Sequence, residues 1–167
     1  MCNKMGCALR HRGRVAKASV CKTLLRGFNS HRCLMNTKDI GDITQAKLEL
    51  KLLLQGYVVL TPRGDNLRYD FVIERNGNFD RVQCKTGRYR KGCVVFDTRS
   101  SSWHRDGKKE PYNKYQIDFF GVYCPQLDSY YLIPVEDIGD KYQCNLRVDE
   151  PRKKNNRYIW AKNYILV

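Results

Sequence analysis

No Cys-x-x-Cys pair occurs among the eight cysteines, and neither a long apolar run nor a signal-peptide hydrophobic region is present. These absences disfavour a zinc ribbon, a secreted disulfide framework and a membrane-spanning helix. The cysteines are therefore expected as reduced thiols in an interior compartment, a bacterial cytoplasm or the inside of a plastid or mitochondrion. Cys2, Cys7, His11, Cys21, His31 and Cys33 include enough candidate ligands for a zinc ion, but their spacing matches no common finger. Acidic residues are missing from the first 35 positions, which hold eight Lys and Arg. Lacking acids and clean periodicity, residues 1–34 are not expected to build a fold. They read either as a basic, disordered arm that tracks DNA or as a mis-annotated start, with the true one at Met35. Internal repeats are absent and no linker follows Met35, so residues 36–167 are expected to form one domain.

What is abundant is positive charge. The formal net charge is +14, and setting aside the eight early cations still leaves +6. Such an excess attracts phosphates and makes nucleic acid the first partner to consider, although ribosomal and membrane-surface proteins share the trait. A chain of 167 residues can bury a core without staples. Residues 39–55 carry Ile43, Ala46, Leu48, Leu50, Leu52, Leu53 and Leu54 among good helix formers, which predicts a helix stopped by Gly56. A strand over 57–61 follows, closed by Pro62 and the turn-forming Gly64-Asp65-Asn66. Later strands are expected at 93–97, 118–124 and 130–135, separated by a basic loop at 86–92 and a long basic and aromatic loop at 98–116. Within these loops Arg88, Arg90, Lys91, Arg99, Trp103, Arg105, Lys108 and Lys109 are candidates for contact with DNA.

The chemistry concentrates between Tyr69 and Thr86. Strands over 69–73 and 81–86, joined by the turn Asn76-Gly77-Asn78, put Gln83 and Lys85 on one face and Val82 and Cys84 on the other. Tyr69, Phe71 and Ile73 share a face, which leaves Asp70 pointing the opposite way. If the two strands pair as a hairpin, an acid, an amide and a lysine converge. On the preceding helix Gln45 and Glu49 lie one turn apart on one face, and the question is whether they look toward Asp70.

Asp70 followed by Gln83-x-Lys85 resembles the acid, then acid-x-Lys, arrangement of the PD-(D/E)XK nuclease superfamily, in the form with Gln for the second acid found in group I intron homing endonucleases. Gly41-Asp42-Ile43-Thr44-Gln45-Ala46-Lys47, Gly56-Tyr57, Tyr69-Asp70, Val82-Gln83-Cys84-Lys85-Thr86, Asp118-Phe119-Phe120, Tyr131-Leu132-Ile133-Pro134-Val135 and Trp160-Ala161-Lys162-Asn163-Tyr164 look like consecutive blocks of that family. The resemblance covers about residues 36–167 and implies an α/β fold, a restriction-endonuclease-like mixed central sheet with an αβββαβ core and a C-terminal elaboration. It further implies metal-dependent, site-specific cleavage of double-stranded DNA. Asp70 would be the principal ligand of Mg²⁺ or another divalent cation, Gln83 an uncharged ligand, and Lys85 the group that positions the attacking water and offsets charge. The family's helix glutamate falls at Gln45, so either Glu49 replaces it from the next turn or the metal is held weakly. A Holliday-junction resolvase, a restriction-type nuclease and a catalytically impaired DNA- or RNA-binding protein are the alternatives. A symmetric homo-oligomer, a dimer or higher, is expected for double-strand cleavage. The apolar segment Tyr158, Ile159, Trp160, Tyr164, Ile165 and Leu166 would form either its interface or a cap on its own sheet.

Overall fold

The computed structural model describes residues 36–64, 66–100, 110–151 and 158–167. Outside this description lie the expected N-terminal arm with its candidate zinc ligands, and the candidate DNA contacts Trp103, Arg105, Lys108 and Lys109. Helix α1 spans Thr37–Leu54. Its stop follows from Gly56, whose φ of 83° suits glycine. There the Gly56 and Tyr57 N–H groups turn back to the Leu53 and Leu52 carbonyls at 3.0 and 3.1 Å, the two bonds that close a helix end through a left-handed residue. Among the described residues no helix is long and apolar enough to cross a membrane.

Among the described residues nine strands follow: β1 Val58–Leu60, β2 Phe71–Arg75, β3 Asn78–Thr86, β4 Arg88–Arg90, β5 Cys93–Asp97, β6 Phe119–Cys124, β7 Ser129–Pro134, β8 Gln143–Arg147 and β9 Ile159–Trp160. A short helix α2, Val135–Ile138, follows β7, and a single 3₁₀ turn, Ala161–Asn163, follows β9. The first sheet runs β1-β2-β3-β6-β7 and the second β4-β5-β8-β9. Within the first, β3 and β6 are parallel and the other pairs antiparallel, which gives the expected mixed sheet. Parallel partners need a long crossover. Among the described residues that crossover carries the β4–β5 hairpin and no helix.

Two hairpin turns have the positive φ pairs that match strand twist, Asn76-Gly77 at 55° and 81° and Lys91-Gly92 at 49° and 76°. The first was legible as an Asn-Gly turn. The second turns what reads as a basic loop into strand β4. At Gly87, between β3 and β4, the sheets approach so closely that a Cβ would stand 2.6 Å from Val94 and 3.0 Å from Val122.

The first sheet is the middle of three layers. On one face Leu48 and Leu52 of α1 meet Phe71, Ile73, Val82 and Tyr123. On the other Phe120, Val122 and Ile133 meet Val94, Phe96 and Leu146 of the second sheet. The C-terminal segment belongs to this body: Tyr164 and Ile159 pack on the inter-sheet core, and Leu132 and Leu166 exchange backbone bonds with Tyr164 and Tyr130. This packing agrees with the reading of the segment as a cap on its own sheet.

At the start of the parallel pair, Arg81 grips Asp118 through both carboxylate oxygens at 2.9 Å, and donates to the Tyr115 carbonyl at 2.6 Å. The Arg81 guanidinium holds the Asp118 carboxyl below its usual 3.8. A group lowered in this way stabilises the fold fully above its ordinary value and loses that contribution as pH falls through its folded value. Asp118→Ala is expected to cost about 1–3 kcal/mol in urea unfolding at pH 7, and the deficit should shrink on acidification below the ordinary carboxylate range. A deficit that does not change with pH would show that the ion pair is not its source.

Candidate active site

The β2–β3 ladder places Phe71 opposite Val82 and ends there. One step beyond, the Asp70 N–H donates to the Val82 carbonyl at 2.9 Å. Asp70 itself lies in the bend before β2, one residue outside the strand expected for it. Its Oδ2 accepts the Cys84 N–H at 2.6 Å and the Gln83 Nε2 at 2.7 Å. A carboxylate thus takes the place of a strand carbonyl where pairing stops, satisfying a backbone donor that would otherwise be orphaned. Burial pushes the Asp70 carboxyl above the usual 3.8, against the Cys84 hydrogen bonds, the Lys85 charge and the Gln83 amide, which all pull it down.

Gln83 is oriented by its neighbours. Its Nε2 faces both the Asp70 carboxylate and, at 3.5 Å, the Cys84 carbonyl, so the reversed amide would set oxygen against two oxygens. The carbonyl Oε1 is thereby turned away from these acceptors. Lys85, on the same face of β3, extends between the sheets. Its Nζ donates to the Arg99 carbonyl at 2.8 Å and lies 5.0 Å from the centre of the Tyr112 ring. Asp70, Gln83 and Lys85 therefore converge as the alternation predicts.

Glu49 bears on β3 from the other face. Cys84 belongs to the helix-side core, and its thiol is pushed well above 9.0, first by burial, then by Asp70, with Glu49 adding to the effect. Thr44 and Thr86 hydroxyls meet at 2.7 Å and pin the helix to the end of β3. Neither Gln45 nor Glu49 supplies a hydrogen bond to Asp70, whose partners come from β3. The helix acid thus bears on the site through the Cys84 position, with the strand between it and Lys85.

Residues the sequence did not single out complete the surroundings. The Tyr112 phenol, raised above its usual 10.0 mainly by burial, is hydrogen-bonded to Ser100 and Arg68 and feels the Asp70 charge. The Tyr112 N–H donates to the Thr98 carbonyl and the Ser100 N–H to that of Glu110, which ties residues 98–100 to 110–112 beside the site. Arg68, two residues before Asp70, gave no signal beyond its charge. Of the expected DNA contacts, Arg88 and Arg90 stand exposed on β4, and Lys91 is exposed in the following turn. Arg99 is committed elsewhere: its guanidinium forks onto Asp97 at 2.6 and 3.0 Å. Its backbone carbonyl, rather than its charge, serves Lys85.

The donor set suits a hard divalent cation. Both hydrogen bonds to Asp70 fall on Oδ2, leaving Oδ1 for a ligand, and the Gln83 carbonyl adds a neutral oxygen. Among the described residues no cluster of three or more His, Cys, Asp or Glu occurs. A cation bound there would take one or two protein oxygens and complete its shell with water and substrate phosphate.

The model of the PD-(D/E)XK endonuclease family matches residues 35–167. Among solved structures, a bacterial homing endonuclease, I-Ssp6803I, matches with a TM-score of 0.65 at 30% sequence identity, over 78% of this chain and 89% of that one. No curated protein matches the sequence.

A carboxyl whose folded value is raised makes the fold less stable as pH climbs through the interval above 3.8, and by a constant amount beyond it. Asp70→Asn, which keeps an oxygen for Gln83 and Cys84, is therefore expected to raise Tm at pH 7 without divalent cations, by roughly 2–4 °C per kcal/mol relieved. The gain should vanish at low pH; a lower Tm for the variant at pH 7 would contradict the desolvated-carboxylate picture.

Proposed function

The chain belongs to the PD-(D/E)XK endonuclease family, a family of nucleases, and from that premise we propose that it is a divalent-metal-dependent, site-specific endonuclease of double-stranded DNA, homing in the manner of the bacterial relative. The observation that carries this reading is the convergence of Asp70, Gln83 and Lys85 at the end of the β2–β3 ladder. Asp70 Oδ1 and Gln83 Oε1 would hold the cation, with Glu49 adding negative charge from the helix side. When bound, the ion supplies Lewis-acid polarisation of the phosphate and a more acidic water. Lys85, placed by the Arg99 carbonyl and the Tyr112 ring, would orient the attacking water and offset the charge that develops on the phosphoryl oxygens. Arg88, Arg90 and Lys91 supply positive charge along the approach.

A second reading, DNA binding without cleavage, starts from the family resemblance, which sets the helix acid's position at Gln45. Catalysis separates the two. Lys85→Ala and Asp70→Asn are each expected to lower Mg²⁺-dependent nicking of a bound duplex at least about a hundredfold, with affinity kept within roughly tenfold, because both act on the transition state. Glu49→Gln should raise the Mg²⁺ concentration needed for half-maximal rate, and Gln45→Glu should keep or raise the rate. Near wild-type nicking by Lys85→Ala would remove the site, and no nicking by the wild type would favour the binding protein. A four-way junction assayed beside the linear duplex separates a resolvase.

One such site attacks one strand, so a double-strand break calls for two copies about a twofold axis. Helix α1 has a surface for the second copy. Opposite its buried stripe, Ile43, Leu50, Leu53 and Leu54 are 42%, 59%, 50% and 76% exposed, beside a groove of about 310 Å³ that runs to Tyr130. Ile43, Ala46, Leu50 and Leu53 follow coiled-coil spacing, and Asp42 and Lys47 flank them so that a parallel pair sets each Asp42 against the Lys47 of the other copy. Leu50→Glu combined with Leu54→Glu should yield monomers in sedimentation that nick but do not break duplex. A wild-type monomer both free and on DNA would contradict this.

A further inference from the structure

The second sheet has two unlike faces. Val94, Phe96, Cys144 and Leu146 point into the core. The registers put a polar grid on the other face: Arg88 beside Val95 beside Asn145 in one row, Asp97 beside Gln143 in the next, and Arg90 beside Cys93 beside Arg147 in the third. A cleft of about 350 Å³ lies over this grid, lined by Thr86, Arg88, Arg90, Val95, Asp97 and Gln143. Thr86, which lines the cleft, is the residue after Lys85 on β3.

The cations of this face divide into two kinds. Arg147 is tied down by the carbonyls of Asp149 at 2.6 Å and Lys91 at 3.3 Å, and Arg99 is neutralised by Asp97. The guanidinium groups of Arg88 and Arg90, by contrast, are exposed and have no hydrogen-bond or ion-pair partner among the described residues. On β8 the Gln143 Nε2 donates to the Asn145 Oδ1 at 3.0 Å, so the pair offers an acceptor on Gln143 and a donor on Asn145 side by side. Free arginine forks match the two major-groove acceptors of guanine, and paired amides match the donor and acceptor of adenine. Three strands at the usual spacing are about 10 Å wide, which fits a major groove about 12 Å across. A track for phosphates alone would have little use for amides, nor for an aspartate that cancels one of its arginines.

We propose that the outer face of β4, β5 and β8 is a base-reading surface that enters the major groove next to the cleaved phosphate, with Arg88 and Arg90 reading guanines and the Gln143–Asn145 pair reading an adenine. This rests on the nuclease reading of the adjacent site. The test is selection of bound duplexes from a random-sequence library by the full-length wild type, by Arg88→Ala, by Arg90→Ala and by Gln143→Ala with Asn145→Ala, together with the salt dependence of affinity. Each variant should lose preference at its own base position by about five- to a hundredfold while others persist. The amide variant should leave the salt slope unchanged. Uniform weakening across all sequences, with a slope lowered by about 0.9 per arginine, would mark phosphate contacts and overturn the proposal, as would unchanged preferences in every variant. A wild type that binds no duplex would sink the nuclease reading as well, whereas a selective wild type whose variants select identically would sink only this inference.

Discussion

The register that sets Phe71 against Val82 is the constraint on which the rest depends. Because side chains alternate with a period of two, a slip of one residue would send Phe71 and Val82 out of the helix-side core and turn Gln83 and Lys85 into it. Burial of the apolar set therefore fixes the position of the polar set. The same register ends the ladder at the point where a carboxylate, rather than a carbonyl, can meet the Cys84 N–H. Function is thus held in place by the free energy of ordinary packing, with no separate scaffold.

Position has an energetic cost. Asp70 is drawn away from water at a spot where its charge is only partly compensated, and an amide at residue 83 relieves the contact that a second carboxylate would make worse. Lys85 is placed by the Arg99 carbonyl and the Tyr112 ring, and its charge also bears on Asp70 and Asp97. Elements from three layers contribute: α1 through Thr44 and Glu49, the middle sheet through Asp70, Gln83 and Lys85, and the loop base through Arg99 and Tyr112. The candidate catalytic groups are thus placed at some expense of stability.

Much of this was legible in the sequence, and for physical reasons. The helix announced itself by composition and Gly56, and the β2–β3 hairpin by Asn76-Gly77. The Asp70, Gln83 and Lys85 convergence followed from alternation together with that hairpin. Strand β4 was not legible, because Arg88-Tyr89-Arg90 has one apolar residue and its turn, Lys91-Gly92, lacks the Asn or Asp that usually marks a hairpin. Strand β8 was hidden in the same way, since only Cys144 and Leu146 point inward. Tyr112 lay unremarked among loop aromatics, because nothing local shows that Lys85 will rest on its ring. The exposed stripe of α1 looked like core, since a helix apolar on two faces does not say which face its own sheet will cover.

The measurement that bears most directly on this picture is the Mg²⁺ dependence of the nicking rate at saturating protein, for the wild type and for Gln83→Glu. If Asp70 and residue 83 together hold the cation that serves the reaction, a second carboxylate should shift the half-saturating Mg²⁺ concentration downward. An unchanged midpoint with an unchanged rate would place the metal, and with it the chemistry, elsewhere in the molecule.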